Sequence, residues 1–129
     1  MWPFRRGESA GQRGERLAVR RLRRKGHKIL ARNYRCPAGE VDVISLDRSA
    51  DLGETVVFVE VKTRAGSALA SPESAVDADK RGRLVRVARY YLAHHDTEDR
   101  PVRFDVVSVT LHDRAKPEIT HIPDAFQPE

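Results

Sequence analysis

Cysteine is nearly absent from this chain. Cys36 stands alone among 129 residues, which excludes an internal disulfide and any cysteine-rich zinc site. Cytoplasmic residence is the default expectation. No apolar run approaches the ~18 residues a membrane helix needs. Arg5 and Arg6 form an arginine pair, but the polar stretch from Gly7 to Arg16 rules out a twin-arginine export signal. Repeats and low-complexity blocks are missing. So are the Gly-x-Ser-x-Gly, His-Glu-x-x-His, phosphate-loop and dinucleotide fingerprints. Cys36 precedes Pro37 with no histidine in register, which argues against a catalytic thiol. His94-His95-Asp96 invites a zinc reading, but adjacent helix positions point about 100° apart and ligate poorly together.

The length suits one domain with a moderate core and is too short for two. The expected core spans about residues 9–122, with 123–129 a loose tail. Net charge is +5, with a pI near 9.8, and charged residues make up 33%. That balance favours polyanion partners. Arginine supplies 19 of the 24 basic residues and suits phosphate better than lysine does. Coding bias in the source genome is the plainer account of the same excess.

Apolar spacing predicts a helix over about Ser9–Lys25, ended by Gly26. Strands are expected at His27–Tyr34, 40–46 and 55–63. A loop covers Ala65 to Pro72, and a second helix about Glu73–His95, with Asp77 capping its main body. Further strands follow at Arg103–Leu111 and Glu118–Ile122. This order implies an α/β fold, a mixed β-sheet flanked by helices.

The most informative stretch is Val56-Val-Phe-Val-Glu60-Val-Lys62-Thr-Arg64. It opens as a strand buried on both faces, then places an acid and an amine two residues apart. Such residues share a face, about 6.6 Å apart along the strand. Charge is costly to bury unless it is paired or holds a metal. Gly39-Glu40-Val-Asp42-Val-Ile44 reads as the preceding strand. Alternation puts Glu40, Asp42, Ile44 and Leu46 on one face and Val41 and Val43 on the other. Antiparallel pairing brings Asp42 beside Glu60.

Two carboxylates and a lysine in a small volume suit a Mg²⁺- or Mn²⁺-assisted phosphoryl reaction. The bland alternative is a wet Glu60–Lys62 pair, with Asp42 as a turn residue. Glu15 lies beside the apolar stripe of the first helix. It is either a third carboxylate or an ordinary exposed glutamate. Lys80 and Arg83 share a face of the second helix, as phosphate contacts or as solvated charge. The run Arg20-Arg21-Leu22-Arg23-Arg24-Lys25 offers the same choice.

Taken together, these segments resemble the YraN-like family of small bacterial proteins. The matching pieces are Gly11-x-x-Gly14-Glu15-x-x-Ala18, Asn33-Tyr-Arg35, Gly39-Glu40-Val-Asp42-Val-Ile44, Phe58-Val-Glu60-Val-Lys62-Thr-Arg64, Ala75-Val76-x-x-x-Lys80-x-x-Arg83-Leu84, Tyr91-Leu92 and Arg103-Phe-Asp105-Val-Val. That family is similar to the restriction-endonuclease-like (PD-(D/E)xK) superfamily and to Holliday-junction resolvases. The resemblance implies an α-β-β-β-α-β core and a Mg²⁺- or Mn²⁺-dependent nuclease acting on DNA, with branched or damaged DNA as the candidate substrate. By it Asp42, Glu60 and Glu15 bind metal and Lys62 positions water. Lys80, Arg83, Arg64 and Arg35 contact nucleic acid, and a homodimer is expected. Val41 stands where the superfamily pattern has proline. A non-catalytic nucleic-acid-binding module or an accessory subunit is the rival.

Overall fold

The computed structural model describes residues 5–65, 77–97 and 99–128. The elements run α1 (Ala10–Arg24), β1 (His27–Cys36), β2 (Gly39–Asp47), β3 (Thr55–Ala65), α2 (Ala78–His94), β4 (Val102–Leu111) and β5 (Glu118–Ile122). The expected first turn of the second helix, residues 73–76, and the loop after Ala65 lie outside the described residues.

The strands form one open sheet in the order β1-β2-β3-β4-β5. Neighbours pair antiparallel except β3 and β4, which are parallel and joined through α2. The apolar run Val56–Val59 is buried on both faces, as a central strand requires. Its even residues Val56 and Phe58 meet Leu84, Val87, Ala88 and Tyr91 of α2. Its odd residues Val57 and Val59 meet Ala18, Val19 and Leu22 of α1. The two helices therefore cover opposite faces of the sheet.

Local chemistry sets the helix ends. Ser9 accepts from the Gln12 amide at 3.1 Å, and the Gln12 side chain accepts from the Ser9 amide at 2.8 Å. This reciprocal cap satisfies two of the helix's orphan donors. Gly26 follows at φ +93°, the left-handed position that glycine fills without steric cost. Asp77 caps α2 through the Lys80 amide at 3.0 Å. Gly14 lets α1 lie directly on β3, since a Cβ there would sit 1.9 Å from Thr63 Oγ1.

Two expectations need correction. Residues 124–126 are not a loose tail. Phe126 is buried against Phe104, the Ala125 amide donates to the Phe104 carbonyl, and the Asp124 amide donates to Asp105. The apolar area of one phenylalanine is enough to hold the segment down. The strict alternation along β2 also fails. Val41 packs with Ile44 and Leu46 on the α2 face, while Val43 packs on the α1 face. The β2–β3 ladder stops at Val43↔Val59. Beyond it the Asp42 carboxylate takes the Val61 amide at 2.8 Å. Opposite in β1, Asn33 adopts φ +51°. The facing pattern is reset where Asp42 leaves the regular pleat.

Candidate metal and nucleic-acid site

The site sits where β2 and β3 part. By the β3 alternation, Glu60 and Lys62 share the α2 face with Phe58, while Val61 packs toward α1. Lys80 lies one turn before buried Leu84 on the sheet-facing side of α2. Arg83 crosses Gly39, with its Cδ 2.9 Å from where a Cβ would stand. Gly39 has φ +138°, so both backbone and space favour glycine there.

Burial drives the electrostatics. It pushes the Glu60 carboxyl up to about 7, and the charge of Asp42 adds to the rise. Lys80, Lys62 and Arg83 act against it without restoring the ordinary value. Asp42 is also raised, first by burial and then by the charges of Glu15 and Glu40. The Val61 amide and Lys80 oppose that shift. Two half-buried carboxylates thus repel each other inside a ring of three cations. Perturbed groups of this kind cluster where chemistry is done.

Glu15 comes from the other side. It accepts from Asn33 Nδ2 at 3.0 Å and from Arg32 Nε at 3.3 Å. Its charge reaches Asp42, which lies between Glu15 on the α1 face and Lys80 on the α2 face. Arg35 pairs with Glu40 at 3.1 Å, both well exposed. Arg64 follows Lys62 by two positions in β3. Among the described residues, no group of three or more His, Cys, Asp or Glu is already set to hold a metal. His94 and His95 stack on Tyr90 and Tyr91, and their Nδ1 atoms bond to the carbonyls of those residues.

Asn33 and Arg32 carry no role in the sequence reading, yet they hold Glu15. The available signal was Asn33 itself, since asparagine is among the few residues that tolerate positive φ. A second charged group at the far end of β2 was also missed. Arg103 bonds Asp105 at 2.8 and 2.9 Å and Asp47 at 3.0 Å. His121 Nε2 meets Asp105 at 2.7 Å, and His27 meets Ser45 at 2.8 Å and Asp47 at 3.4 Å. Ser45, His27 and Asp47 mimic a nucleophile chain, but Ser45 is 0% exposed and no substrate can reach it.

Comparison with known proteins decides the family. The model of the uncharacterised protein family UPF0102 matches residues 14–109. The chain belongs to that family. A UPF0102 protein of Geotalea uraniireducens is 43% identical over 120 residues, covering 93% of this chain and 91% of that one. One from Nitratidesulfovibrio vulgaris (strain DP4) is 48% identical over 118 residues, covering 92% and 84%. One from Moorella thermoacetica is 46% identical over 101 residues, covering 78% and 80%. The family match spans Glu15, Asp42, Glu60, Lys62, Lys80 and Arg83. No helix among the described residues is long and apolar enough to cross a membrane.

Proposed function

We propose that this protein hydrolyses phosphodiester bonds in DNA with a divalent cation, Mg²⁺ or Mn²⁺, within a nuclease-like PD-(D/E)xK site. The observation that carries the reading is geometric: Asp42 and Glu60 stand half-buried where the β2–β3 ladder stops, Asp42 is held by the Val61 amide, and Lys62 shares the face of Glu60. Two half-buried hard oxygen donors, one of them reached by its cations only through space, fit a cation that keeps several of its own waters. The chemistry such an ion supplies is a lowered water pKa and neutralised phosphoryl charge.

The protein's own groups do the rest. Asp42 is fixed by the Val61 amide, so one carboxylate is preorganised. Burial holds the Glu60 carboxyl up at about 7, so a bound cation would compete with its proton near neutral pH. Lys62, on the same face, orients the attacking water. Lys80 and Arg83 hold the non-bridging phosphate oxygens from α2. Glu15 is the third carboxylate, and its bonds to Arg32 and Asn33 open if it joins the ion. Resolution of a branched junction would call for two such sites, hence a homodimer.

One observation favours a second reading, a nucleic-acid-binding module without hydrolysis: no three-donor group is preassembled among the described residues. Labelled branched, duplex and single-stranded DNA should be incubated with wild type, Glu60→Gln and Lys62→Ala in Mg²⁺ or Mn²⁺. Hydrolysis predicts cutting by wild type alone. Cutting that survives both substitutions, or none with any substrate, removes this reading. Titration of Mn²⁺ into wild type and Asp42→Ala separates the two: the module binds no metal in either.

A further inference from the structure

Beside α1 runs a groove of about 580 Å³ lined by Arg5, Arg16, Arg20, Arg23, Arg24 and Arg32. A smaller hollow of about 270 Å³ shares Arg5, Arg16 and Arg32 with it and is also lined by Glu8, Glu15 and Asn33. The two share these three arginines, and the smaller one also touches Glu15, whose charge acts on Asp42. Arg16 is matched by Glu8 at 2.8 Å and Arg32 by Glu15 at 3.3 Å. Arg20, Arg23 and Arg24 are exposed and have no ion-pair partner among the described residues. The negative helix end accounts for some basic charge in the last turn. It does not account for six arginines facing one concave surface, where like charges repel.

We propose that this groove holds the phosphate backbone of one DNA strand on its way to the site at Asp42 and Glu60, an inference that rests on the nuclease reading above. Arg16, Arg20, Arg23 and Arg24 recur at three- and four-residue spacing, so they form one stripe. From Arg16 to Arg24 the stripe is about 12 Å long, which matches about three to four nucleotides of one strand. Guanidinium groups grip phosphate oxygens two at a time. The groove lies along α1, and Lys80 and Arg83 lie on α2 across the sheet.

The test is binding of a labelled single-stranded DNA with metal chelated, so that cutting plays no part. Affinity is followed against salt for wild type, for Arg20→Gln/Arg23→Gln/Arg24→Gln, and for Arg48→Gln/Arg114→Gln/Lys116→Gln. The last variant removes the same charge from exposed positions elsewhere. The groove variant should bind more weakly and lower the log–log salt slope by about 2. The control variant should keep the wild-type slope, and circular dichroism should show all three folded. Equal slopes for wild type and groove variant, or equal losses in both variants, overturn the proposal. A loss seen with RNA alone, or with vesicles of anionic phospholipid alone, overturns it too. A groove-dependent slope in a protein that cuts nothing in Mg²⁺ sustains the groove and removes hydrolysis. Cutting by wild type with an unchanged slope does the reverse.

Discussion

Two pairs of buried carboxylates lie at opposite ends of β2 and respond to burial in opposite ways. Asp42 and Glu60 are raised. Asp47 and Asp105 are lowered, although burial pushes both upward. At the second end, hydrogen bonds from Ser49, His121, Arg103 and the Asp124 amide outweigh that push. At the first end, the cations Lys80, Lys62 and Arg83 act only through space on Glu60. Burial sets the sign at the first end, where Asp42 has one direct donor and Glu60 is opposed only through space; several direct donors reverse it at the second. A carboxylate whose donors are all in place is structural.

The largest effect should come from unbalancing the satisfied end. Arg103→Met leaves Asp47 and Asp105 buried without their shared cation. Urea denaturation at neutral pH should show a loss of about 3–5 kcal/mol. The equivalent change at the other end, Lys62→Ala, should cost well under half of that. It should instead lower the rate of DNA cutting by about 10²–10⁴-fold. Equal losses of stability at both ends would erase the distinction.

The pH dependence sharpens it further. Glu60 binds its proton more tightly when folded, so the folded state holds more protons between the ordinary value of 4.5 and about 7. Stability should then fall as pH rises through that window, by about 2 kcal/mol once partial exposure is discounted. Glu60→Gln should flatten the fall, as read by denaturation between pH 4.5 and 8. Asp47 and Asp105 have the opposite sign. Their contribution is complete above the ordinary carboxylate value and is lost as pH drops through the lowered ones. Mg²⁺ added at pH 8 should raise the melting temperature of wild type and leave Glu60→Gln unmoved.

Smaller effects bracket these. Ser45→Ala removes the buried partner of His27, whose pKa burial holds down, and should cost about 1–3 kcal/mol. Glu40→Ala breaks only the exposed pair with Arg35 and should change stability by less than about 1 kcal/mol in a thermal melt.

Much of this was legible in the chain. Strand β3 declared itself through the run Val56–Val59, because only a strand covered on both faces needs apolar residues without alternation. Ser9, Gly26 and Asp77 marked helix ends through chemistry local to each. The antiparallel pairing of β2 with β3 followed from two strands joined by a short polar loop. The second charged cluster was not legible. Its members, His27, Asp47, Arg103 and His121, come from four strands, and no spacing within one segment joins them. The position of Asn33 was hidden for a related reason: its positive φ matters only because β1 and β2 lose their regular pleat together.

Element order, the caps, the central strand and the shared face of Glu60 and Lys62 were determined by residues within a few positions of one another. Those are consequences of backbone sterics and side-chain periodicity. The tertiary structure alone decided which buried acids find donors and which are left to repel. It also put Glu15 across the sheet from Lys80 and gathered six arginines into one groove. Such outcomes depend on distances between residues far apart in sequence, and electrostatic energy is fixed by those distances, not by order along the chain.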